Sequence, residues 1–266
     1  MKVAVISDIH SNYYSLESAL KIIDKNNVET IIFNGDLVTD FPYPNKTMDM
    51  IMSLKDKYKI VIIKGNREEY IEEALGEINC LNSSINYTKV NLKDEYKEIL
   101  KNSPYTYQID DVLFTHANGK NTHELFYENS ENTISYLKDS KHKLTVVGHS
   151  HFPFYKEYEG KMMINTGPLG HLNKEYEGGV FLILDTKTYE YEFKYALYDQ
   201  LMCKMEFIES GLFDIGGVYI MSIMDMLDNN IPIASHVMKL GRRLMGDNPF
   251  DEKYFIEAYK YIKSVI

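Results

Sequence analysis

At 266 residues, 44% of them hydrophobic and 26% charged, the chain is long enough for one large α/β domain, or one domain with an appended piece. A core of that size closes without disulfides or structural metals. The formal net charge of −10 excludes a protein that tracks along duplex nucleic acid, which needs Lys and Arg to neutralise phosphates. It leaves room for a small phosphorylated ligand, because bound divalent cations make a local potential positive whatever the global sign.

The first element, Lys2 to Ser7, is nearly all apolar and rich in β-branched residues, the signature of a buried strand. No basic region, apolar stretch and cleavage site precede it, and no uncharged run approaches the ~18 apolar residues of a membrane span. A cytoplasmic protein with no membrane segment is therefore expected. Asn12 opens a helical pattern with Leu16, Ala19, Leu20 and Ile23 on one face. A strand at 30–34, a helix at 46–56 and a strand at 59–63 follow, a rhythm that predicts βαβ units and a largely parallel sheet.

Residues 69 to 102 are charged and predicted helical, ending before Pro104. Segments 105–109 and 112–115 read as a hairpin around Asp110-Asp111, and a helix near 130–139 leads to a strand at 144–147. Four further strands, 154–158, 161–165, 179–184 and 189–196, are expected to form a meander. From residue 199 the pattern changes to four helices, 199–210, 215–229, 233–246 and 251–265, broken at Gly211, Pro232 and Pro249. The chain thus divides into 1–198 and a helical extension, 199–266. The apolar surface of that extension, Val218, Ile220, Ile223 and Leu227 among it, is expected to pack on the first domain or on a homodimer mate. Cys80 and Cys203 stand outside every motif and read as free thiols.

Five short motifs stand where strands should end: Asp8-Ile9-His10, Gly35-Asp36, Gly65-Asn66-Arg67-Glu68, Thr115-His116 and Gly148-His149-Ser150-His151. In α/β sheets, ligands sit beyond the carboxyl ends of the strands, so these side chains should converge on one edge. In Asp8-Ile9-His10, and again in His149-Ser150-His151, an extended chain would turn the first and third side chains the same way. Oxygen and imidazole ligands without thiolate suit Mn²⁺, Fe or Zn²⁺, and two such ions side by side bind a phosphate ester and activate water.

Together the motifs resemble those of the calcineurin-like metallophosphoesterases, whose pattern is D-x-H, G-D, G-N-H-[DE], a later His, and G-H-x-H. The resemblance covers roughly residues 1 to 196. It implies an α/β fold, a two-sheet αββα sandwich, here with a helical C-terminal extension, and two divalent metal ions, Mn²⁺ first and Fe or Zn²⁺ as alternatives. By it, Asp8, His10, Asp36 and His151 hold the first metal, and Asp36, Asn66, His116 and His149 the second. It implies hydrolysis of a phosphodiester or phosphomonoester in a small phosphorylated substrate by a metal-activated hydroxide. Asn165-Thr166-Gly167-Pro168 is similar to the Asn-Pro-Gly loop of small bacterial members.

One position departs from the pattern. The family His, the proposed general acid, is Arg67 here, and Glu68, with Glu69, is expected to salt-bridge Arg67, orient it or start the next helix. Arginine gives up no proton at neutral pH, but it forks hydrogen bonds onto phosphate oxygens, so Arg67 and Asn66 are expected to bind substrate, with Arg67 and Glu68 the catalytic pair. His171 and His123 are candidate replacement acids, each expected at the surface or behind the site. The alternatives are a catalytically weak or inactive metal-binding scaffold for a protein partner, as in the retromer subunit that resembles the family, or a protein serine/threonine phosphatase.

Overall fold

Alternation along β1 (Lys2–Ile6) separates two faces of a sheet, Val3 and Val5 to one side, Ala4 and Ile6 to the other. Both sides are covered, which is why the strand reads as a continuous apolar run. The computed structural model describes residues 1–73, 77–172 and 178–266. After β1 come α1 (Tyr13–Ile23), β2 (Thr30–Asn34), α2 (Pro44–Ser53) with a 3₁₀ turn to Asp56, and β3 (Lys59–Ile63). Asn12 caps α1 by accepting from Ser15 N at 3.2 Å.

The predicted helical stretch after β3 is three helices, α3 (Asn66–Glu72), α4 (Ser83–Asn91) and α5 (Asp94–Lys101). Then follow β4 (Thr106–Ile109), β5 (Val112–Thr115), α6 (Glu131–Asp139), β6 (Leu144–Val147), β7 (Phe154–Tyr158), β8 (Lys161–Asn165), β9 (Gly179–Asp185) and β10 (Tyr191–Ala196). The strands form two five-stranded sheets, ordered β10-β9-β1-β2-β3 and β4-β5-β6-β8-β7. In the first, β1, β2 and β3 run parallel and β9 runs against β1. In the second, β5, β6 and β8 run parallel.

The expected meander over the last four strands is not formed. The β7–β8 and β9–β10 pairs are antiparallel hairpins, but they lie in different sheets. Strand β8 pairs with β6, and β9 with β1. The reason is burial: β9 is buried from Gly179 to Leu184, and only a place beside β1 covers both its faces.

Val3, Val5, Ile32, Val112, Phe114, Val146 and Leu182 fill the space between the sheets. Helices α1, α2 and α5 cover the first sheet through Leu16, Met48 and Leu100, and α6 covers the second through Leu137. The result is the αββα sandwich. Beyond it lie α7 (Gln200–Glu209), α8 (Leu212–Asn229), α9 (Ile233–Met245) and α10 (Lys253–Val265). Phe207, Leu212, Ile220 and Ile223 of this group pack with Phe41 and Leu172. On α7, the buried Glu206 accepts from Tyr13 at 2.5 Å, Tyr14 at 3.2 Å and Lys46 at 3.2 Å. Both cysteines are free and buried. Among the described residues, no helix is long and apolar enough to cross a membrane.

Candidate metal centre

Six parallel strands, three from each sheet, end at one edge, and their loops continue the ladder beyond the sheets. Asp8 N donates to Gly35 O at 3.0 Å, His10 N to Asp36 O at 3.0 Å, and Gly148 N to His116 O at 3.0 Å. Glycine is required where these loops touch. A Cβ on Gly35, at φ +89°, would lie 2.5 Å from His116 Nδ1, and one on Gly148 would lie 2.1 Å from Ser7 Oγ.

The edge collects all seven residues read as ligands, in two groups. In one, Asp8 Oδ1 lies 3.2 Å from His151 Nε2 and 3.9 Å from His10 Nε2, and the two imidazole nitrogens are 3.2 Å apart. In the other, His116 Nε2 lies 3.5 Å from Asp36 Oδ1 and 3.2 Å from Asn66 Oδ1, with the His149 ring beside that of His116 at 5.1 Å. Asp36 joins the groups, since its Oδ2 is 3.8 Å from His10 Nε2. Within Asp8–His10–His151 and within Asp36–His116–His149, the ligand atoms all lie within 4.8 Å of one another.

The backbone reaches this arrangement in a way that the sequence reading did not foresee. Neither Asp8-Ile9-His10 nor His149-Ser150-His151 is extended. Asp8, His10, Asp36, His149 and His151 all sit at positive φ, between 52° and 65°. Asp and His tolerate that region better than other side chains, but strain of this kind persists only where the surroundings impose it, and it gathers at functional sites. Left-handed turns, not strand alternation, turn the side chains inward.

Donor chemistry fits two cations. Asp8 Oδ1 is buried with no hydrogen-bond partner, and burying a bare carboxylate oxygen is costly unless a cation meets it. His116 Nδ1 is 2.8 Å from Asn34 O and therefore donates, which aims Nε2 at Asp36 and Asn66. His10 Nδ1 is 3.2 Å from Asp40 Oδ2, which aims its Nε2 at Asp8 and Asp36. An outer acceptor that fixes the imidazole in this manner is the usual support of a metal-binding His.

The charges explain how each group is held without metal. Burial pulls the His10 ring down to about 3 and, helped by the His116 charge, the His149 ring down to about 4. Burial also opposes charge on His116, but Asp36 and Asp8 outweigh it and push that ring up to about 10. Despite their own burial, Asp8 is held well below the usual carboxylate range by His151 and His116, and Asp36 by His116, His10 and Arg67.

Arg67 N donates to Asp36 Oδ1 at 2.8 Å, and its guanidinium turns Nη2 toward Asp40 Oδ2 at 3.2 Å and the Tyr219 hydroxyl at 3.3 Å. The Nε–H stays buried without a partner, 4.0 Å from Asp36 Oδ2. Glu68, of which one expected role is to orient Arg67 as its catalytic partner, takes another. Its carboxylate accepts from Gly65 N at 2.8 Å, Asp36 N at 2.9 Å and Leu37 N at 2.9 Å. That ties the start of α3 to the Asp36 loop, and burial together with the Asp36 charge pushes Glu68 up to about 7. Glu68 braces the edge and does not reach Arg67.

One residue of the site has no signal in the sequence, and His171 takes a place behind the ligands. Asp40 was not singled out, yet it is fully buried and its Oδ2 meets His10, Arg67, Tyr219 and, at 3.4 Å, His171. Its Oδ1 accepts from Ser84 at 3.0 Å. His171 lies against two of those ligands, with ring centres 4.6 Å from His10 and 4.9 Å from His151. His123 stays outside, exposed and paired with Glu69 at 3.3 Å. Asn165 bridges two loops by donating to Gly148 O at 2.6 Å and accepting from Gly167 N at 2.9 Å.

Two curated relatives from Methanocaldococcus jannaschii are similar to the chain. The uncharacterized protein MJ0912 is 28% identical over 222 residues, 74% of this chain and 88% of that protein. Phosphodiesterase MJ0936 is 25% identical over 197 residues, 72% of this chain and 96% of that protein. The fold is shared with a metallophosphoesterase from Sphaerobacter thermophilus, at TM-score 0.73 and 20% identity over 87% of this chain and 99% of that one. It is shared also with the hypothetical protein PH1004 from Pyrococcus horikoshii, at TM-score 0.74 and 17% identity over 85% and 97%. The strand-end motifs lie within residues 1–177, the span matched by the model of the calcineurin-like phosphoesterases, and the chain belongs to that family of phosphoric ester hydrolases.

Proposed function

We propose that the chain is a two-metal phosphodiesterase of small phosphorylated substrates. The observation that carries this is the pair of ligand groups joined by Asp36, with a buried Asp8 oxygen that makes no hydrogen bond and faces the ring nitrogens of His151 and His10. Asp8, His10, Asp36 and His151 would hold one cation, and Asp36, Asn66, His116 and His149 the other. When bound, such a pair polarises a phosphoryl oxygen and makes water a nucleophile at neutral pH. Mn²⁺ as the metal and a cytoplasmic setting belong to the same proposal. The phosphodiesterase named among the relatives favours diesters.

Arg67 supplies a fixed positive charge beside Asp36. Asp40 and Tyr219 hold its Nη2, and the partly exposed remainder of the guanidinium is left for a phosphoryl oxygen. A guanidinium does not protonate a departing alkoxide, and losing a general acid costs about 10²–10⁴-fold. Esters with acidic, aryl or nucleotide-like leaving groups should therefore turn over fastest. A rate that is flat across leaving-group pKa would assign the proton to another group, and His171 is the one beside the site.

The test is turnover of bis(p-nitrophenyl) phosphate by metal-stripped protein reloaded with Mn²⁺, beside Asp36→Asn. Metal-dependent hydrolysis that the substitution abolishes is expected. Folded, metal-loaded protein without hydrolysis of this ester or of nucleotide diesters would overturn the proposal in favour of a binding scaffold.

A further inference from the structure

Among the residues around Arg67, one comes from outside the 1–177 span of the family match. Tyr219 lies on α8, in the helical extension, yet its buried hydroxyl donates to Asp40 Oδ2 at 2.9 Å and accepts from Arg67 Nη2 at 3.3 Å. The approach depends on a break in the helix. Gly217, two residues earlier, has φ 55° and ψ −152°, a conformation open only to glycine. A Cβ there would lie 2.5 Å from Glu252 Oε1 and 3.1 Å from Cys80 Cβ. The kink is thus held between α10 and the segment before α4, and it sets the direction in which Tyr219 leaves the helix.

We infer that Tyr219 is a positioning residue for the phosphoryl group, acting through Arg67; the inference rests on the phosphoesterase reading above. A guanidinium has five N–H donors in a rigid fork, so fixing one corner fixes where the others point. Asp40 and Tyr219 fix the Nη2 corner, and the buried Nε–H, without a protein acceptor, is left toward Asp36. The side chain is 19% exposed, so with these atoms held the rest of the fork is presented to a phosphoryl oxygen at the site. The extension therefore completes the anion-binding half of the site. Arg67 and Tyr219 form one device, because without the hydroxyl the fork, held at Asp40 alone, would be free to turn onto Asp36.

Tyr219→Phe removes the hydroxyl and leaves the ring in its packing. Calorimetric titration of Mn²⁺-loaded protein with inorganic phosphate should show about 3- to 10-fold weaker binding, the size of one ordinary net hydrogen bond. Diester turnover should show the change in KM more than in kcat. Arg67→Ala should weaken phosphate binding further, and in that background Tyr219→Phe should change it less than about 1.5-fold, the mark of action through Arg67. A thermal melt confirms that each variant is folded. Unchanged phosphate affinity in Tyr219→Phe, an equal loss with and without Arg67, or no phosphate binding by the wild type would each overturn the inference. Phosphate binding that depends on Tyr219 in a protein without turnover would uphold it while the diesterase reading fails. Turnover with Tyr219-independent binding would do the reverse.

Discussion

Asp40 Oδ2 is met by His10, Arg67, Tyr219 and His171, of which Arg67 carries the positive charge and the others face it with ring nitrogens or a hydroxyl. An amide in its place would turn donors against donors. Asp40→Asn should therefore lower metal affinity or activity about 10- to 100-fold, the usual effect of removing the outer partner of a metal-binding His, as read by metal titration. His116 gives a second residue-level prediction. Its folded value, about 10, lies above the ordinary 6.5, so the metal-free protein holds one more proton than the unfolded chain between those values. The stabilisation it provides is complete below pH 6.5 and lost as pH rises through 10. A cation takes the place of the Nε2 proton, so loading at about pH 8 should release about one proton. Calorimetry in two buffers of different ionisation enthalpy measures it, and His116→Gln should abolish the release.

At the scale of elements, the kink of α8 is the most exposed to test. Gly217→Ala forces a side chain into a backbone region that costs about 1–3 kcal/mol and into the space of Glu252. Denaturant midpoints should fall accordingly and phosphate affinity with them. The strand ends were legible because their signals are local: apolar runs stopped by Gly-Asp, Gly-Asn or Gly-His. The four tail helices were legible for the same reason, marked by Gly211, Pro232 and Pro249. The placement of β9 beside β1 was not, since partner choice depends on what covers a strand and no neighbouring residue records it. Asp40 escaped notice because a loop Asp four residues after Asp36 has no period to betray it. Its importance comes from Tyr219, 179 residues away. Of the roles the sequence leaves open for Glu68, starting the helix is the one its hydrogen bonds fit, since adjacency to Arg67 in sequence says nothing of side-chain direction.

Over the whole molecule, the extension and the sandwich are joined by Tyr219 at the site and by Glu206 with Tyr13, Tyr14 and Lys46. Metals that bind only the folded state add about 4 kcal/mol at a thousand times Kd. If α8 shares that stabilisation, its amide hydrogens should gain protection on metal loading together with those of β1 and β2. Gains confined to the strands would mean that the tail opens independently. The segment after β8 has a related role. Thr166 N donates to Val147 O at 3.0 Å, Leu169 N to Ser7 O at 2.9 Å and Gly170 N to Asp8 O at 2.9 Å, so it is fastened to both sheets before β9 begins. In mechanical terms, the two sheets are leaves and the ligand edge is their hinge pin. An ion held by residues of both sheets, Asp36 with His116 and His149 or Asp8 with His151, would lock the leaves shut.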